Sequence, residues 1–143
     1  MKIYPNYRVS VSIIIEHKGK VLLAKRSENT EIRPGKWEVP AGKVKYSEIP
    51  VEALIREAKE ETNLDVELIK EVEVRAVKLE SEIEEVYRLI YTYLVRPKDG
   101  DISSLKMSNE HTEYAWVDKE SLADHKYDSL HENVRRTVEY ILN

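Results

Sequence analysis

Residues 7–16 alternate in polarity: Tyr7, Val9, Val11, Ile13 and Ile15 point one way, and Arg8, Ser10, Ser12 and Glu16 the other. A period of two over such a length requires a strand with one face against a core, so the fold must be built on a sheet. His17-Lys18-Gly19-Lys20 is a polar turn, and Val21–Arg26 reads as the returning arm of a hairpin. The polar loop 27–36 holds Pro34-Gly35, and a short extended piece, Trp37-Glu38-Val39, stops at Pro40. Alternation returns in 71–77, with Val72, Val74 and Ala76 on one side, and in 86–95, with Tyr87, Leu89, Tyr91, Tyr93 and Val95 together. Glu113–Val117 is a further short strand, while the polar stretch 101–111 has no period.

Two longer segments follow a helical period instead. In 47–62, Val51, Ile55, Ala58 and Thr62 form one stripe, with Leu54 at its edge. Ser47 is the expected N-cap, Glu48 suits the positive helix start, Pro50 fits the first turn, and Asn63 suits a left-handed C-terminal position. A last helix is expected after Asp128 or Ser129, with Leu130, Val134, Val138 and Ile141 buried and Ser129 with Glu132 as a capping box. Residues 119–124 supply a helical turn or two. The order strands, helix, strands, helix predicts α+β, a mixed sheet between helices, in a single domain over 1–143.

Composition removes several function classes. The chain has no cysteine, which excludes disulfide frameworks, thiolate metal sites and cysteine nucleophiles. Its net charge is −4, from 27 acidic and 23 basic residues, which disfavours a nucleic-acid partner but leaves room for a small anion on local basic residues. No apolar run approaches the ~20 residues that span a bilayer, and the first residues lack the apolar block of a signal peptide. A cytoplasmic protein with no membrane partner is expected. The four histidines lack ligand spacing and read as surface residues.

The chemistry concentrates in 37–64. Glu57, Glu60 and Glu61 lie three and four positions apart, so their carboxylates share one helix face, away from the apolar stripe. Like charges at these spacings repel, and a hard divalent cation with oxygen ligands would relieve them. Arg56 is placed to pair with Glu52 or Glu60, and Pro40-Ala41-Gly42 reverses the chain where a backbone carbonyl could complete a metal shell. Arg26, Arg33, Lys36 and Lys43 bracket the loop and could meet phosphate oxygens. A solvated acidic helix face is the plain alternative.

The full spacing resembles the Nudix box, G-x5-E-x7-R-E-U-x-E-E-x-G-U with U a bulky apolar residue. Gly42, Glu48, Arg56, Glu57, Glu60, Glu61 and Leu64 fall on its positions, Ala58 is a small U, and Asn63 stands where the family has glycine. Gly35-Lys36-Trp37 and Trp116-Val117-Asp118 look like usual Nudix surroundings. The resemblance implies an α/β/α sandwich with the box as loop-helix-loop. It also implies hydrolysis of a nucleoside diphosphate linked to another group, with Mg²⁺ or Mn²⁺. By position, Glu57 and Glu61 would be the main metal ligands, Glu60 a further one, and the carbonyl of Ala41 or Gly42 would join them. Arg56 and Glu48 would orient the catalytic carboxylates.

The general base is open between Glu57, Glu60, Glu110 and Glu113, with Glu113 the choice outside the box. Arg26 and Lys43 are candidate phosphate-binding residues. Trp37 is a core anchor or, in the other reading, stacks on a base. The preferred substrate is a nucleoside triphosphate, giving monophosphate and pyrophosphate. ADP-ribose or another nucleotide sugar is the runner-up, and a non-catalytic nucleotide-binding module is the alternative of another class. Many relatives are homodimers, and a homodimer is a possible assembly here.

Overall fold

The computed structural model of the protein describes residues 6–79 and 86–143. The reading of 1–143 as one domain also takes in residues 1–5 and 80–85, which lie outside the described residues. The strands are β1 (Asn6–His17), β2 (Lys20–Arg26), β3 (Trp37–Glu38), β4 (Ala41–Lys43), β5 (Val66–Leu79), β6 (Val86–Pro97) and β7 (His111–Val117). The helices are α1 (Pro50–Thr62), α2 (Lys119–Leu122) and α3 (Glu132–Leu142). Strand order is β3-β2-β1-β6-β5, with β4 added to β1 and β7 to β2. The β1–β6 pair is parallel and the others are antiparallel, so the sheet is mixed as expected.

One departure from a regular sheet creates the site. β1 and β2 pair only at their hairpin end, through Glu16↔Val21 and His17↔Lys20. Beyond that point they part. β3 pairs with β2 and β4 pairs with β1, so residues 37–43 fill the wedge between the two strands. Ile13 N donates to Pro40 O at 2.8 Å, which fixes the turn at the wedge.

Both faces of the sheet are covered, which explains the unbroken Ile13-Ile14-Ile15. Val11, Ile13 and Ile15 pack with Leu54, Ala58, Tyr93 and Val95 under α1. Ile14 packs on the other side with Leu23, Trp37, Leu94, Tyr127 and Val138 under α3. The result is the expected α/β/α sandwich. Among the described residues no helix is long and apolar enough to cross a membrane.

Several local expectations are corrected. α1 begins at Pro50 with Ile49 as an N-cap that offers no side-chain bond, and Ser47 lies in a left-handed turn (φ 65°). Proline pre-sets the first helical φ, so it sets the start. Ile55 is exposed, and the buried arc of α1 is Ala53, Leu54, Ala58, Glu61 and Thr62. α3 is capped by His131 rather than Asp128 or Ser129, and Ser129 Oγ instead accepts from Trp37 N at 2.9 Å. β5 starts at Val66, five residues before its expected start at 71, and ends the sheet. Its register against β6 shifts twice, so Val74 and Ala76 are exposed and only Val72 reaches the α3-side core.

Candidate active site

The wedge segment brings its backbone onto the acidic edge of α1. Val11 pairs with Gly42, which places Gly42 on the α1 side of the sheet. A Cβ at residue 42 would land on the Glu57 carboxylate, so only glycine lets loop and helix approach this closely. One residue earlier, Ala41 N donates to Glu61 Oε2 at 3.1 Å. Two consecutive residues of β4 therefore meet two carboxylates one helical turn apart.

Arg56 organises the remaining charges. Its Nε donates to Glu48 Oε2 at 2.7 Å and its Nη2 to Glu48 Oε1 at 2.9 Å, a bidentate pair. Nη1 reaches Glu57 Oε1 at 2.8 Å and Glu60 Oε2 at 3.2 Å, and Nη2 also donates to Lys43 O at 2.9 Å. One guanidinium thus ties the loop to three carboxylates: Glu60, one of its two expected partners, together with Glu57 and Glu48, while Glu52 is not among them. The Arg56 bond and the Lys45 N–H hold Glu48 well below the usual carboxylate range, at about 2.

The other glutamates go the opposite way. Burial raises Glu57, against the pull of Arg56. Glu61 is only 8% exposed, and burial pushes it up to about 8. The Ala41 N–H opposes that shift, while the charges of Glu57, Glu38 and Glu110 add to it.

Next to Glu61 lies a cluster that one-dimensional spacing does not reveal. His111 is buried, and its Nε2 is 2.9 Å from Glu38 Oε2, so it is not the surface residue expected. Arg26 Nη1 meets the same oxygen at 3.1 Å, and Arg26 Nε donates to Ile32 O at 2.8 Å. Arg26, the candidate phosphate-binding residue, is thus engaged through Nε and Nη1 within the protein. Trp37 is 3% exposed, in edge contact with Tyr127, and has no open face for a base; it is a core anchor. Glu113 is half exposed and faces Lys25 at 3.5 Å on β7, away from the box glutamates. Glu110, at the turn before β7, is the outer glutamate whose charge reaches Glu61. Lys43 gives its carbonyl to Arg56 and leaves its side chain exposed.

Among the described residues no three Asp, Glu or His side chains are gathered into a ready cation cage. Glu57 and Glu60 are drawn to Arg56, and Glu61 to Ala41 N. The donor set nevertheless suits a hard cation. Two raised carboxylates, a third beside them, and the backbone at Ala41–Gly42 are all oxygen donors, and a cation would favour the ionised form that burial opposes.

Comparison with known proteins bears on this geometry. The NUDIX domain model matches residues 6–138. An RNA pyrophosphohydrolase of Bartonella henselae is 29% identical over 144 residues, covering 81% of this chain and 79% of that protein. The nucleoside triphosphatase NudI of Escherichia coli is 29% identical over 123 residues, covering 80% of this chain and 84% of its own. Among solved structures, the MutT protein of Methanosarcina mazei Go1 superposes with a TM-score of 0.67 at 29% identity, covering 97% of this chain and 95% of that one.

Proposed function

The chain belongs to the Nudix family of hydrolases, and on that premise we propose that it hydrolyses a phosphoanhydride of a nucleoside triphosphate, releasing monophosphate and pyrophosphate. The observation that carries the reading is the approach of Ala41–Gly42 to Glu61 and Glu57, which brings the β4 backbone against two carboxylates of one helix edge. The similarity to NudI, a nucleoside triphosphatase, supports the substrate class. Nudix hydrolases generally use divalent metals. In this reading Glu57, Glu61, Glu60 and a carbonyl of Ala41 or Gly42 hold Mg²⁺ or Mn²⁺. Such an ion, held there, would supply positive charge to the phosphate oxygens.

The chain's own residues do the rest. Arg56 keeps Glu57 and Glu60 on the loop side of α1, with Glu48 as its counter-ion. Lys43, exposed beside the box, meets the phosphate tail. Glu110 accepts the proton of the attacking water, a role its position supports better than that of Glu113. A cytoplasmic location, where nucleotides and Mg²⁺ are plentiful, belongs to the same reading.

The test is a panel of nucleoside triphosphates, ADP-ribose, other nucleotide sugars and a 5′-triphosphate RNA oligonucleotide, with Mg²⁺ and Mn²⁺ and with products identified. Monophosphate and pyrophosphate from a free triphosphate, abolished by EDTA, are expected. Faster turnover of a sugar conjugate or of RNA would replace the substrate. Binding without turnover would indicate a non-catalytic module. A melting temperature raised by Mn²⁺ checks the metal site independently of activity.

A further inference from the structure

His111 is a residue that packing alone would not choose. Its side chain is fully buried at the first position of β7, and its Nδ1 has no hydrogen-bond partner among the described residues. Ser108 Oγ, three residues earlier, is likewise buried and unpartnered. A leucine would fill such a place without stranding a polar atom. What imidazole adds is a directed bond: a carboxylate only accepts, so Nε2 donates to Glu38 Oε2.

That bond closes a small truss. Arg26 ends β2, Glu38 ends β3 and His111 begins β7, and all three meet at one carboxylate oxygen. The backbone sets the direction. Lys25 opposes Glu113 but Arg26 opposes His111, so Thr112 is the extra residue of a bulge. A bulge re-aims the side chain beside it, here turning His111 inward.

Glu110 stands directly before this anchor. Its carbonyl accepts from Ser27 N at 2.7 Å, His111 N donates to Ser108 O at 3.1 Å, and Ser108 N donates to Glu61 O at 2.9 Å. The turn is thus pinned to the end of α1 on one side and to His111 on the other. We propose that His111 is a positioning residue: through Glu38 it fixes the 108–111 turn so that the Glu110 carboxylate faces the box glutamates. The inference rests on the reading of Glu110 as proton acceptor.

The test is a double-mutant cycle on kcat and KM, read with melting temperatures. His111→Leu keeps an apolar volume and loses the bond, while His111→Gln returns a donor to about the place of Nε2. His111→Leu is expected to lower kcat tenfold or more with KM within twofold, and His111→Gln to recover most of that loss. In a Glu110→Gln background His111→Leu should change kcat less than twofold, since no base remains to be aimed. If His111→Leu does not fold, His111→Asn, too short to reach Glu38, carries the same expectations. Losses that multiply, or a glutamine variant as slow as the one lacking the bond, would overturn the positioning role. Parent-like kcat in Glu110→Gln alone would instead remove the base assignment, and the role of His111 with it.

Discussion

Helices α1 and α3 cover opposite faces of one sheet, and the chain treats them differently. α3 buries Thr137 and Val138; its partly buried Arg135 is satisfied by the carbonyls of Leu122 and Tyr127, and the Arg136–Glu132 pair is exposed. α1 buries a glutamate and a threonine alongside Ala53, Leu54 and Ala58. At its loop-facing edge Glu57 and Glu60 share Arg56 with Glu48 of the loop, while Glu61 accepts from the Ala41 N–H and burial pushes it up to about 8. The contrast locates the unfavourable electrostatics. The cost is not an even repulsion over three box glutamates, as their spacing suggests; Arg56 serves Glu57 and Glu60, and the larger burden, mainly of burial, falls on Glu61. A stable domain with one helix set for packing and one set against it is what a functional site on a rigid scaffold requires.

The largest expected effect separates the helices by readout. Glu57→Gln and Glu61→Gln should each lower kcat by about 10²–10⁴, the range of a lost catalytic group, without unfolding the protein. Val138→Ala in α3 should do the reverse. Val138 is fully buried, and losing two carbons there costs about 2 kcal/mol from transfer and cavity terms, with kcat at 25 °C within twofold of the parent. Steady-state kinetics and melts on the three variants check this. A tenfold loss of kcat in Val138→Ala would mean that the α3 face also shapes the site.

How much of this was legible in the sequence depends on distance along the chain. A helical period converts spacing into proximity, so the placement of Glu57, Glu60 and Glu61 on one face and of Gly42 before them was readable. The apolar stripe of α1 was misread because its buried arc includes Glu61; an apolar-only pattern turns toward Ile55, which is exposed. The helix starts later than Ser47 suggests, because Pro50 pre-sets the first helical φ while Ser47 turns left-handed and Glu48 is drawn to Arg56, eight residues on. The two shifts in the β5–β6 register break the period of two that suggested a buried face there. Nothing local links His111 to Glu38 across 73 residues, since that meeting follows from three strand ends and a bulge.

A smaller effect sharpens the electrostatic side of the contrast. Burial raises the folded-state value of Glu61 from 4.5 to about 8. Its contribution to stability is therefore full below about pH 4.5 and is lost as pH rises through about 8. Glu61→Gln cannot ionise, so in EDTA its melting temperature should match the parent near pH 4.5. Above pH 8 the variant should be the more stable by a few kcal/mol, with a melting temperature several degrees above the parent's. Mn²⁺ favours the carboxylate and should narrow that gap. A variant no more stable than the parent at pH 8.5 in EDTA would show Glu61 to be adequately compensated by Ala41 N–H.

The smallest expected effect tests where α1 ends and what it holds. Asn63 is left-handed, with φ 62° and ψ 13°, and its N–H bonds Lys59 O. Its side chain adds something the family's glycine cannot, since Nδ2 donates to Ser104 O at 2.9 Å; Ser104 Oγ also donates to the Asn63 backbone carbonyl at 3.1 Å. These bonds fasten the segment that leads to Ser108 and Glu110 onto the end of α1. Asn63→Gly relaxes the left-handed backbone and loses the Nδ2 bond. The two effects oppose, and because the bond is worth about 1 kcal/mol and asparagine tolerates this conformation well, a net loss of about 0.5 kcal/mol is expected. Asn63→Val loses the bond and also forces a β-branched side chain to positive φ, so it should fall a further 1–2 kcal/mol below the glycine variant. Chemical denaturation with a common m-value resolves the three proteins in order. A glycine variant as stable as the parent would mean that the Asn63 Nδ2 bond contributes nothing, and that the backbone bonds from Ser108 and Lys106 suffice to fasten this segment to α1.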